Sequence, residues 1–195
     1  MKPITHDDFL KDVAKHKMTV LRDDGLYRHI QFKRPGTRIM QFDLITWPGY
    51  LCYCGDMGEY VFTRLADMFE FFRKPDSKGG LDLQYWAEKC RAADRSGIKI
   101  YDPDHAKDRI KEWVDEADVK DIASLRAAVE EEILPRVHDG EHELRSIINE
   151  FEHDGFRFYD FWECDLKEYT VRFIWCCYAL PWAIAMYDKE KEATA

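Results

Sequence analysis

No apolar run in this sequence is long enough to cross a membrane. The longest, Phe173–Tyr187 (FIWCCYALPWAIAMY), has 15 residues, whereas a spanning helix needs about 20. Pro181 sits inside it, so the run predicts a buried helix kinked or broken there. No secretory apolar stretch opens the chain, because Lys2, Asp7, Asp8, Lys11 and Asp12 interrupt it. The expectation is a cytoplasmic protein with reduced thiols. A phosphate loop, a dinucleotide fingerprint and a nucleophile elbow are also missing. Gly55-Asp-Met-Gly58 is too short for any of them, and no Lys or Ser/Thr stands where one is needed. Neither an internal repeat nor a low-complexity stretch occurs.

What is present argues for a packed core: 46% hydrophobic and 14% aromatic residues in 195. The net charge of −9 is unevenly placed. Residues 101–170 hold 9 Lys/Arg against 21 Asp/Glu, a balance of −12, while the remainder is slightly basic or neutral. A local excess of this kind points to an acidic face.

Thr5-His-Asp-Asp8 before FLKDVAKH reads as a capped helix. From Met18 the period becomes two. Thr19–Arg22 and Leu26–Phe32 flank an Asp23-Asp24-Gly25 turn, and Arg38–Thr46, Tyr50–Cys54 and Glu59–Thr63 follow between Gly-containing turns. This predicts an antiparallel meander of four or five strands. Helical spacing then takes over in Leu65–Phe72, Leu81–Arg95, a third helix from Asp102-Pro103, Ser124–Leu134 stopped by Pro135, and Gly140–Phe151. A last long helix opens at Asp160 or Asp165. The whole is read as one α+β domain over 1–195, with the N-terminal meander (1–64) packed against a mainly helical part (65–195), acidic over 101–170.

Cys52 and Cys54 lack the second cysteine pair that would mark a zinc site. Period two puts them with Tyr50 on one face and Leu51 and Tyr53 on the other. Their expected role is packing. In VHDGEHE, His138 and His142 share a helical face if the helix begins early enough. His105, His138-Asp139 and a late Asp such as Asp188 imitate the ligand order of HD-type metal-dependent hydrolases. The Gly after His138-Asp139 argues instead for a helix boundary. The cluster GFRFYDFWECD is either a segment pressed under the last helix or a recognition surface. Its acidic surroundings oppose direct nucleic-acid binding, which needs a basic groove.

The run FDLITWPGYLCYCGDMGEYVFTRLADMFEFFR (Phe42–Arg73) and the ending DFWECDLKEYTVRFIWCCYALPWAIAMYD (Asp160–Asp188) resemble segments of uncharacterised accessory proteins encoded by bacteriophages and prophages. The resemblance implies action in the bacterial cytoplasm and carries no catalytic residue across. The leading expectation is a non-enzymatic phage protein, without cofactor or bound metal. It would bind a host or phage protein with a basic, nucleic-acid-binding groove and inhibit a defence system such as CRISPR interference. The contact candidates are Asp56, Met57 and Glu59 in the turn, and Asp115, Glu116, Asp118, Glu130, Glu131 and Glu132 in the acidic helices. The alternatives are a small HD-like hydrolase of nucleotides or nucleic acid, using His138, Asp139 and His142, and a structural or replication-associated scaffold.

Overall fold

The computed structural model describes residues 4–73 and 81–194. The fold is α+β, and the chain divides into two compact units. One is built from the chain up to Ile98 together with the stretch from Tyr169 onward; the other is Lys99–Glu168.

The first unit opens with α1 (His6–Val13), where Thr5 and Asp8 cap each other reciprocally. Strands β1 (Lys17–Asp24), β2 (Tyr27–Lys33), β3 (Phe42–Trp47), β4 (Tyr50–Gly55) and β5 (Gly58–Thr63) form the expected antiparallel meander. Helices α2 (Met68–Arg73) and α3 (Leu83–Lys89) follow. The sequence reading carries the second of these on to Arg95. In the structure it stops at Lys89, and β6 (Cys90–Ala93) adds a sixth strand beside β5. The exposed backbone groups of β5 supply partners that outweigh the helical preference of CRAA.

The second unit runs from β7 (Lys99–Tyr101) through α4 (Pro103–Asp115), α5 (Ile122–Glu132) and α6 (Glu141–Glu150) to β8 (Lys167–Tyr169), which pairs with β7. Asp102 and Asp121 cap α4 and α5. Pro135 lies inside a 3₁₀ helix, Leu134–Asp139, that follows α5. The unit has its own core, centred on Ile110, Val129, Ile133, Val137 and Leu144.

The chain returns to the first unit as α7 (Val171–Thr194). Neither Asp160 nor Asp165 opens it. Asp160 adopts left-handed backbone (φ 57°), and Thr170 Oγ1 caps the helix by accepting from Phe173 N–H at 3.2 Å. The helix runs on through Pro181 without a break. Among the described residues, no helix is long and apolar enough to cross a membrane.

Alternation turns one face of the sheet into the core. Ile30, Phe32, Phe42, Leu44, Leu51, Tyr53, Tyr60 and Phe62 are fully buried, and α7 supplies the facing layer. Trp175 meets Phe9 and Phe42 edge-on, with centroids 5.0 and 5.5 Å apart, and its indole N–H donates to Asp12 at 3.0 Å. Each such side chain contributes roughly 1.5–3 kcal/mol by burial.

At one end of this face Arg28, whose side chain is 9% exposed, forms a bidentate pair with Asp67 (2.8 and 2.9 Å) and lies over the Phe69 ring at 4.6 Å. Burial raises the Asp67 carboxyl, but the hydrogen bonds from Arg28 and from Phe69 N–H outweigh it and hold the group below the ordinary carboxylate range. A depressed carboxyl contributes stability above its unfolded pKa, near 3.9, that is lost as pH falls through the folded value. Urea unfolding of Asp67→Asn is therefore expected to lose less stability between about pH 5 and pH 2 than wild type does. At pH 7, Arg28→Met leaves Asp67 partly buried without its cation and is expected to cost about 3 kcal/mol.

Candidate functional site

The second unit carries a cleft of about 850 Å³. It is formed where α4 ends, where the connection to α5 passes, and where the turn after α6 returns. Asp154 (φ 48°) and Gly155 (φ 83°) occupy the two central positions of that turn, as an Asp-Gly hairpin connection prefers. The backbones of His153 and Phe156 pair across it at 3.1 and 2.8 Å.

Trp113, Phe156 and Tyr159 give the cleft its apolar surface. Four carboxylates (Glu116, Asp118, Asp121 and Asp154) stand around it against two cations, Lys120 and Arg157. Arg157 is already paired with Glu152. Asp121 is occupied in part as the cap of α5, accepting from Ser124 N–H at 3.0 Å. Tyr159 and, nearby in sequence, Trp162 are each 70% exposed. The same segment buries Phe158 and Phe161 against Trp113 (6.4 and 5.4 Å). The GFRFYDFWECD cluster is thus split: two rings anchor it in the core of its own unit, not under α7, and two rings face water.

Arg145 fixes that segment. Its guanidinium donates to the carbonyls of Phe161 and Trp162 at 3.2 Å and of Cys164 at 2.8 Å, and pairs with Glu141 at 2.9 Å.

A Ser–His contact lies beside the cleft, with Ser124 Oγ 2.9 Å from His153 Nε2. Asp154 approaches the same nitrogen at 3.7 Å. A nucleophilic relay needs its carboxylate on the other ring nitrogen, so this contact is not arranged as one.

The acidic residues named from the sequence are all exposed and fall into separate places. Glu116 and Asp118 border the cleft. Asp115 pairs with Arg126 at 2.9 Å and, with Glu130, borders a smaller groove between α4 and α5. Glu131 and Glu132 end α5 and border neither. Asp56, Met57 and Glu59 belong to the first unit. Asp56 accepts from Met40 N–H at 2.8 Å, and its own N–H donates to Gln41 O at 2.9 Å, so this turn clamps the preceding loop. A Cβ on Gly55 would lie 2.3 Å from Gln41 O, which explains the glycine. Met57 packs on the core, and Glu59 is exposed.

The HD-like pattern does not converge. His138 lies in the last turn of the 3₁₀ helix, Gly140 (φ 109°) breaks the chain direction, and His142, in the first turn of the next helix, is 94% exposed, so the two imidazoles do not share a helical face. Asp139 pairs with Arg136, His105 with Glu168, and Asp188 with Arg73 in the other unit. Among the described residues, no three His, Cys, Asp or Glu groups are placed to hold a metal ion.

Trp113 and His153 escaped the sequence reading as cleft residues, with the Asp154-Gly155 turn as their local marker; Tyr159 lies in the aromatic cluster offered as a recognition surface. Replacing Arg145 by Met strands three carbonyls. The expected result is a loss of about 2–3 kcal/mol from the helical unit, with faster proteolysis within residues 156–164 and little change in the exchange protection of β2–β5.

Comparison with protein-family models, with curated proteins and with solved structures found no match.

Proposed function

We infer that this chain is a phage-encoded accessory protein that binds a host protein in the bacterial cytoplasm through the acidic, aromatic cleft of its helical unit. The partner this chemistry suits is one with a basic groove that otherwise holds nucleic acid, as in defence machinery such as CRISPR interference. The observation that carries the reading is the cleft itself: Trp113 and Tyr159 offer large apolar area, and Glu116 and Asp118 stand beside them as open carboxylates. Rigid aromatics are the usual anchors of protein interfaces. Surrounding carboxylates steer a cationic partner and reject anionic nucleic acid. The phage-like segments at Phe42–Arg73 and Asp160–Asp188 supply the setting.

The experiment uses tagged protein to capture partners from a bacterial lysate at graded salt, followed by a nucleic-acid-binding assay on the captured partner. A partner retained at 0.1 M salt should elute by about 0.5 M, where the screening length falls to about 4 Å. It should be lost with Tyr159→Ala or with Glu116→Gln/Asp118→Asn, and it should bind less nucleic acid while held. Retention unchanged by salt and by both variants would contradict the reading.

A further inference from the structure

The first unit holds a second arrangement, independent of the cleft. Leu51 and Tyr53 are the residues of β4 that turn into the core, so Cys52 and Cys54 stand on the opposite, outer face. The packing role expected from sequence does not apply to them. Both are free and half-buried, whereas Cys176 and Cys177, on the inner side of α7, are sealed in the core.

Register places each thiol in a cross-strand row. Cys54 lies between Asp43 on β3 and Glu59 on β5, and Cys52 between Ile45 and Val61. Asp43 is engaged on both oxygens, by His29 Nε2 at 2.7 Å and by Gln31 Nε2 at 3.2 Å. The two thiols stand on one face two residues apart, neighbours along β4, and Cys52 Sγ lies 3.8 Å from Tyr53 O. The neighbouring Cys54 thiol holds the Cys52 thiol below its ordinary range against the opposing effect of burial. The Cys52 thiol, then burial, pushes Cys54 up. Burial likewise raises Cys90, to about 11. Cys52 is therefore the thiol prepared to attack, and Cys54 is the neighbour placed to resolve.

We propose that Cys52 and Cys54 form a reversible dithiol–disulfide site for low-molecular-weight disulfides. The Cys52 thiolate attacks one sulfur of the small disulfide. Its S–S bond breaks, and the first small thiolate leaves with the electron pair. Cys54 gives its proton to solvent and attacks Cys52 Sγ in the mixed disulfide, expelling the second small thiolate. The protein loses two electrons and two protons, and the small disulfide becomes two thiols.

The strand makes this disulfide labile. Two residues of β-strand advance about 6.6 Å, close to the upper limit of about 6.8 Å for bridged Cα atoms. Closure must pucker β4 at Tyr53, which packs on Phe42 and Trp175 (5.3 and 6.4 Å). A strained bridge of this kind is easily reduced, as a switch requires.

The test treats the folded full chain with oxidised glutathione, quenches with acid and iodoacetamide, and digests with trypsin. The peptide Ile39–Arg64 contains Cys52 and Cys54 and no other cysteine. In wild type it is expected to lose about 2 Da without keeping glutathione, and to recover with dithiothreitol. Cys54→Ser should retain glutathione on Cys52, and Cys52→Ser should react at least about tenfold more slowly than wild type. A wild-type peptide that keeps glutathione as Cys54→Ser does overturns the proposal. So does one that stays a dithiol under conditions in which the urea-unfolded chain reacts. Should either variant fail to fold, the wild-type peptide alone decides.

Discussion

The burial of one helix against one face of one sheet determines most of what this chain can be. Helix α7 brings Phe173, Trp175, Leu180 and Ile184 into the core that Phe32, Phe42, Leu44 and Tyr53 form on the inner rows of β2–β5, where Phe9, Phe69, Phe72 and Trp86 of the shorter helices join them. A half-apolar sheet of this kind exposes its core face until a partner layer arrives. The partner comes from the far end of the sequence, after the whole helical unit has been made. The long closure is slow to form but costs little extra at equilibrium, because loop entropy grows only logarithmically with length.

Chemistry is thereby left to the surfaces that α7 does not seal. On the sheet, the outer rows carry the polar and sulfur-bearing residues: His29, Asp43, Cys52, Cys54 and Glu59. In the helical unit a separate core of smaller aliphatic side chains frees Trp113, Tyr159 and the carboxylates near them to line an open cleft. Neither surface places an ion-binding cluster or a nucleophilic relay among the described residues. The proposed partner binding and thiol exchange draw on these two surfaces.

Much of the fold was legible. Period-two runs with Asp-Gly and Pro-Gly turns marked the meander, and Asp102 and Gly140 marked helix boundaries that the structure keeps. Cys52 and Cys54 show where such reading stops. Alternation says which residues share a face but not which face turns inward; Leu51 and Tyr53 bring more apolar area and win the core. Cys90–Ala93 joined the sheet because β5 needed a neighbour, a requirement invisible within the segment itself. The acidic excess of residues 101–170 was plain in composition, yet its division among a cleft, a groove and a helix end depends on how α4, α5 and the 153–159 turn come together.

Timed labelling of the native chain with iodoacetamide, read by peptide mass, tests the seal most directly. If α7 closes the inner face, Cys52 and Cys54 alkylate in the folded protein, while Cys176 and Cys177 react only at the rate of global unfolding, slower by orders of magnitude. Equal labelling of all four would mean that the helix does not hold the sheet, and the assignment of an inner and an outer face would fall with it.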